Sequence, residues 1–371
     1  MKRILGLFVI ACILSAALAA RPAAAQTASS TYIVTLKGAN ASPAAKLGIK
    51  TNHVYSSVLN GFAADLTPEQ VAQLKADPSV AEIEADQEYT ISATQYMDAN
   101  GDPWGLDRID QKFLPLSGSY TYNTTAPGVT AYIIDTGIAV THPEFGGRAA
   151  NVFNSAGGQA DDCNGHGTHV AGIVGARTYG VAKAVKLRGV KVLNCAGSGT
   201  TAGIIAALDW VRANAAKPAV ANMSLGGGFS SALNAAVTNL SNSGVFVAVA
   251  VGNSASNACN YSPASAAAAY AVAATDKTDK AAATSNYGSC VDIYAPGVGI
   301  KSTWLNGGAQ VLTGSSMASP HAAGVAALYK ASLGDASSAT VTAWLNSNAT
   351  PNVVVNAPPN TPNRLLYKGN F

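Results

Sequence analysis

The chain has 371 residues, of which only 12% are charged and 48% hydrophobic, and its net charge is +3. A charged fraction about half the usual ~25%, with no basic stripe interleaved with aromatics, argues against nucleic acid as a partner. The length allows two or three domains and a large buried core.

Lys2 and Arg3 open the chain, followed by an apolar run over residues 4–20 and the small-residue sites Ala17-Leu18-Ala19 and Ala23-Ala24-Ala25. A basic start, a short apolar stretch and such sites predict a signal peptide over residues 1–25, removed on export. The run falls short of the roughly 20 residues of a membrane span. The mature protein is therefore expected to be secreted, extracellular and without a membrane anchor. Of five cysteines, Cys12 leaves with the signal peptide. Cys163, Cys195, Cys259 and Cys290 remain, an even number that implies disulfides with three connectivities open. No C-x-x-C spacing suggests a zinc knuckle.

Residues 26–92 read as a small domain. Thr31–Lys37 alternates like a strand, Thr67-Pro68-Glu69-Gln70 carries a helix start with a capping box, and Val80–Tyr89 reads as a later acidic strand. Strands framing helices over about 60 residues predict a ferredoxin-like α+β unit. From residue 93 to 371 the pattern becomes α/β. Apolar strands near Val129–Asp135, Val185–Leu193, Ala219–Leu225, Val245–Val251 and Tyr270–Ala274 alternate with helices over His166–Gly175, Ala202–Asn214, Ser231–Ser241 and Met317–Leu333. Such near-continuous Val/Ile/Ala strands predict a mostly parallel central sheet with helices on both faces.

Three stretches carry chemistry. Tyr132-Ile-Ile-Asp135-Thr-Gly137 puts an acid where an apolar strand meets a glycine turn, the end of a parallel sheet where functional groups gather. Asn164-Gly-His166-Gly-Thr-His169 puts a histidine between glycines at a helix start. The two histidines could form half a metal site, but no acid lies between them and no third ligand follows. Thr313-Gly-Ser-Ser316-Met-Ala-Ser-Pro320-His321 places a serine in the first turn of the last long helix, where free N–H groups favour negative charge. Pro320 is expected within that same turn, where it is tolerated. Serine-based hydrolysis needs a hydroxyl, a base, an orienting carboxylate and oxyanion donors.

Together these stretches resemble the subtilase family of serine proteases, matching its D-T-G, H-G-T-H-V-A-G and G-[TS]-S-M-A-[ST]-P-H signatures in the family's order. The resemblance implies a subtilisin-like three-layer α/β fold and a serine endopeptidase. Asp135 would orient, His166 act as general base and acid, and Ser316 act as nucleophile. His169 and His321 would be structural, and Asn253, closing Val249-Ala-Val-Gly-Asn253, would complete the oxyanion hole. Gly197, Ser198 and Gly199 on one side and Ser224, Leu225 and Gly226 on the other would hold a peptide as an added strand. Ala250, Val251 and Gly252 would line a pocket for an apolar or aromatic side chain before the scissile bond.

The segments around Cys163, Cys195, Asn260–Ser265 and Ser285–Cys290 look like the proteinase K branch, especially its aqualysin-like bacterial members. That branch implies Cys163–Cys195 and Cys259–Cys290 pairing. It also implies structural calcium, held by Asp292 with the carbonyls of Ala267 and Ala269, and by Asp107, Asp110 and Gln111. No catalytic cofactor is expected. Residues 26–92 resemble the family's inhibitory propeptide, so the chain is expected to be an autoprocessed precursor, cut near Ser92-Ala93. Its partners would be protein or peptide substrates and its own propeptide, acting on a monomer without a C-terminal extension. Two other readings have less support. Gly197-Ser-Gly199-Thr-Thr-Ala202 fits a dinucleotide fingerprint but lacks the acid about 20 residues on. A catalytically dead binding module would need a lost triad or oxyanion residue, and all four are present.

Overall fold

A computed structural model describes residues 29–38, 43–55, 60–86 and 93–371. The predicted signal peptide and the expected cleavage point near Ser92 lie outside these residues. The chain divides into two compact units, one within residues 1–89 and one within 90–371.

The first unit runs β1 (Ser30–Leu36), α1 (Pro43–Lys46), β2 (Thr51–Tyr55), β3 (Gly61–Leu66), α2 (Pro68–Ala76) and β4 (Val80–Ala85). The strand order is β2-β3-β1-β4 with antiparallel pairing throughout, the split-βαβ arrangement predicted. α2 starts where the sequence said. Thr67 accepts from the Gln70 N–H, and the Gln70 side chain accepts from the Thr67 N–H in return. Val34, Phe62, Leu66 and Leu74 close a small core of its own.

The second unit begins with β5 (Ala93–Tyr96), α3 (Trp104–Ile109), β6 (Ser119–Tyr122), β7 (Thr130–Asp135), β8 (Ala149–Asn154), α4 (His166–Gly175) and β9 (Lys186–Lys191). It continues with α5 (Thr201–Asn214), β10 (Ala219–Met223), β11 (Gly227–Gly228), α6 (Ser231–Asn242), β12 (Phe246–Ala250), β13 (Tyr261–Ser262), β14 (Tyr270–Thr275) and β15 (Ile293–Pro296). The last part is β16 (Ile300–Thr303), β17 (Ala309–Leu312), α7 (Ser315–Leu333), α8 (Ser338–Asn348), β18 (Thr350–Pro351) and β19 (Arg364–Leu365). Nine strands form one sheet in the order β18-β19-β15-β14-β12-β10-β7-β9-β8, all parallel except the β18–β19 pair.

Alternation along each buried strand feeds two cores. Ile133 and Ala248 join the cluster under α4 and α7, whereas Tyr132, Ile134, Val247 and Val249 join the one under α5 and α6. This period of two explains why the central strands read as unbroken apolar runs: both faces are covered. The topology puts the carboxyl ends of β7, β9, β10 and β12 along one edge, beside the N-termini of α4 and α7. One detail differs from expectation. α7 starts at Ser315, so Pro320 is its sixth residue and lies beyond the first turn.

Candidate active site

β7 ends on Asp135, which is fully buried, and α4 starts on His166. The glycines flanking His166 allow a close approach. Gly165 has φ +104° and a Cβ there would fall 2.6 Å from the Trp304 ring, while one on Gly167 would fall 2.2 Å from the Gly137 carbonyl oxygen. His166 Nδ1 and Asp135 Oδ1 are 2.8 Å apart, and the Thr136 N–H donates to the same oxygen at 2.8 Å. Because the carboxylate accepts, Nδ1 carries the proton and Nε2 is left as the basic nitrogen. The other Asp135 oxygen, Oδ2, is buried with no hydrogen-bond partner among the described residues. Burial alone would lower the His166 pKa. The Asp135 charge and hydrogen bond, with Asp162 behind, outweigh it and leave the pKa raised.

Ser316 is the second residue of α7, and its hydroxyl donates to the Ser224 carbonyl at 3.2 Å. Four residues on, Pro320 has no N–H, so the Ser316 carbonyl lacks its helical partner. The Ser224 hydroxyl fills that gap, donating to the Ser316 carbonyl at 2.7 Å. Behind it, Asn222 Nδ2 donates to Ser224 Oγ at 2.9 Å and the Ser319 hydroxyl to Asn222 Oδ1 at 2.7 Å. The proline thus frees a backbone acceptor that ties α7 to β10. Asn253 Oδ1 accepts from the Ser315 N–H at 2.8 Å. This fixes the amide's orientation and leaves Nδ2 as a free-facing donor. Ser315 Oγ in turn accepts from the Gly252 N–H at 3.0 Å.

His166, Asn253 and Ser316 line one cleft of about 710 Å³. The same cleft is walled by Gly197, Ser198 and Gly199, by Ser224, Leu225 and Gly226, and by Ala250, Val251 and Gly252. Every predicted catalytic, oxyanion and substrate-binding residue except buried Asp135 therefore borders it, whereas the cysteines, His169, His321 and the cation-ligand sets do not. Two disulfides form, Cys163–Cys195 and Cys259–Cys290. The first joins the loop before His166 to the segment before Gly197, and Asn164 Nδ2 adds a bond to the Cys195 carbonyl at 3.0 Å. His169 turns Nε2 to the Ile300 and Gln310 carbonyls, and His321 Nδ1 donates to the Met317 carbonyl. Burial lowers both to about 4, so both are neutral at pH 7. No cluster of three His, Cys, Asp or Glu side chains suited to a metal occurs among the described residues.

The cation-ligand sets do not border the cleft. Asp292 accepts from the Ala271 N–H at 2.7 Å, and burial pushes its carboxyl up to about 6. Ala267 and Ala269 precede β14. Both Asp107 oxygens already accept, from the Ser117 N–H and hydroxyl and from the Gly118 N–H. Gln111 accepts from the Ser117 N–H and donates to the Phe113 and Pro115 carbonyls, and Asp110 accepts from the Thr121 N–H. Two residues near Asp135 and His166 are not among those the sequence predicts. Asp162 and Lys191 are both buried, Lys191 opposite Asp135 in the β7–β9 register and Asp162 accepting from the hydroxyl of the next residue, Thr136. An acid four residues before His166 was visible as a signal, whereas Lys191, ending an apolar strand, gave none.

Residues 126–366 match the Subtilase family, Peptidase_S8, and residues 45–92 match the Peptidase inhibitor I9 family. The chain is 51% identical over 324 residues to an extracellular serine proteinase of Thermus sp. (strain Rt41A), covering 86% of this chain and 78% of that protein. It is 49% identical over 323 residues to an alkaline serine exoprotease A of Vibrio alginolyticus, covering 86% of this chain but 60% of the relative's length. The crystal structure of a cold-adapted subtilisin-like serine proteinase aligns with a TM-score of 0.70 and 51% identity, covering 71% of this chain and 97% of the other. The chain belongs to the subtilase family and is a serine endopeptidase with a subtilisin-like fold.

Proposed function

We propose that this chain is the precursor of a secreted endopeptidase that cuts peptide bonds through an acyl-enzyme on Ser316. The observation that carries the reading is the 2.8 Å contact between buried Asp135 and His166, opening onto the cleft that Ser316 and Asn253 share. Asp135 holds the His166 tautomer, so that Nε2 can take the Ser316 proton and return it to the leaving amine. In the structure the Ser316 hydroxyl donates instead to the Ser224 carbonyl. A peptide laid as a strand between Gly197–Gly199 and Ser224–Gly226 brings backbone N–H groups that compete for that carbonyl. The hydroxyl is thereby released toward His166 as substrate arrives. Asn253 Nδ2 and the Ser316 N–H meet the oxyanion at the start of α7, where the helix dipole also favours negative charge. The pocket walls Ala250, Val251 and Gly252 carry no charge, which favours apolar or aromatic side chains before the scissile bond.

Export is supported by the basic start, apolar run and small-residue sites of residues 1–25, and by a relative named an extracellular serine proteinase. Residues 26–92 act as the inhibitor of residues 93–371 once the bond near Ser92-Ala93 is cut, a role supported by the I9 match. Calcium is proposed as a structural ion. A half-buried carboxylate short of compensation, as at Asp292, suits a hard cation, and the nearby Ala267 and Ala269 carbonyls are hard oxygen donors of the right kind. The ion would neutralise Asp292 and take no part in the reaction. The set of Asp107, Asp110 and Gln111 is a poorer fit, because its oxygens already close the 111–121 loop by accepting N–H and O–H donors. The test of the reading is a Ser316→Ala precursor made without other proteases. It should stay full length and be cut near Ser92 when active enzyme is added. Self-cleavage at the normal rate would remove Ser316 from the role.

A further inference from the structure

We propose that Asp162 and Lys191 are positioning residues that set the basicity of His166 from behind Asp135, as a matched pair of opposite buried charges. This inference rests on the catalytic reading above. Thr136, the residue after Asp135, joins the groups. Its N–H donates to Asp135, its hydroxyl donates to Asp162 Oδ1 at 2.9 Å, and its carbonyl accepts from Lys191 Nζ at 2.6 Å. Asp162 is 6% exposed and accepts four further bonds, from the Asn164, Gly165 and Thr168 N–H groups and the Thr168 hydroxyl. The turn that delivers His166 is therefore wrapped around one carboxylate. Lys191 is 1% exposed and lies directly opposite Asp135 in the β7–β9 register.

The charges explain why both are needed. Asp135 and Asp162 place two buried carboxylates beside one imidazole, and both favour its protonated form. Two uncompensated carboxylates would hold a base protonated well into the neutral range, where it could not accept the serine proton. Lys191 is the cation set against them. Burial weakens its charged form, while Asp162, Asp135 and then Asp161 support it. His169, one turn along α4, also interacts with His166 and is neutral. The attraction of Lys191 to Asp135 also offsets the Asp135 oxygen that has no hydrogen-bond donor among the described residues.

Opposite charges predict opposite shifts. With enzyme matured from the full-length precursor, kcat/KM for a peptide anilide is followed against pH, and the midpoint of the acid limb is read for wild type and variants. Lys191→Met should move the midpoint up and Asp162→Asn should move it down, each by about half to one pH unit. Lys191→Arg, which keeps the charge, should stay near wild type. A merely structural role lowers kcat or thermal stability but leaves the midpoint in place. Midpoints that do not move, or that move the same way in both variants, overturn the proposal. If Lys191→Met does not mature, Asp162→Asn decides alone: a downward shift supports the pairing, and no shift or an upward one overturns it. A wild-type profile with no histidine-like acid limb would instead overturn the catalytic reading itself.

Discussion

Removing the Ser224 hydroxyl isolates the link between Pro320 and Ser316. Ser224→Ala leaves two buried groups without partners, the Ser316 carbonyl and one Asn222 amide hydrogen, in a region where Ser224 and Asn222 are 3% and 1% exposed. Each orphaned buried group costs about 1–3 kcal/mol, so the variant should lose about 2–6 kcal/mol of stability. The Ser316 carbonyl is orphaned only because Pro320 offers no N–H. Pro320→Ala should restore that donor, so Ser224→Ala made in the Pro320→Ala background should cost about 1–2 kcal/mol less. The assay is urea unfolding of sulfonyl-inactivated enzyme for wild type, both single variants and the double variant. Additive losses, with no coupling between the two positions, would refute the claim that the hydroxyl replaces the missing helical bond.

Three other perturbations test separate parts of the structure. His169 and His321 fall from an ordinary 6.5 to about 4 on burial. The unfolded chain therefore binds more protons between those values, and stability is full above about pH 6.5 and falls as pH drops toward 4. Replacing His321 by Gln should flatten that loss in unfolding curves recorded from pH 7 to 4, and an unchanged slope would contradict the assignment. Arg108 is fully buried and clamps Asp279 through Nε at 2.6 Å and Nη2 at 3.0 Å. Arg108→Leu should cost about 3–5 kcal/mol by stranding Asp279, and Arg108→Leu with Asp279→Asn should cost less than Arg108→Leu alone in the same unfolding assay. Chelator should lower the melting temperature of the wild type but leave that of Asp292→Asn unmoved. An equal drop in both would place the ion elsewhere.

The elements of the proposed catalytic site were legible because their chemistry is local. Asp135 closes an apolar strand, His166 sits between glycines that only a close approach requires, and Ser316 opens a helix. Long central strands were legible because both faces are buried, which leaves unbroken apolar runs. Short or weakly patterned pieces were not. The six-residue α3 is buried on every side, the polar-rich α8 shows little contrast between its faces, and the β16–β17 hairpin pairs exposed residues with buried ones. The disulfide pairing came from family resemblance, since four cysteines alone leave three connectivities open. Lys191 could not be found from sequence, because only the sheet register puts it opposite Asp135. The sequence puts Pro320 in the first turn of α7, whereas it lies in the second, where its missing N–H leaves the Ser316 carbonyl to the Ser224 hydroxyl.

Covalent labelling tests the central claim most directly. Matured enzyme treated with a serine-reactive phosphonylating reagent should lose its peptidase activity in step with the addition of one adduct per molecule. Peptide mapping should place that adduct on Ser316, and Asn253→Leu should slow its formation. An adduct on any other residue, or full loss of activity with Ser316 unmodified, would contradict the account.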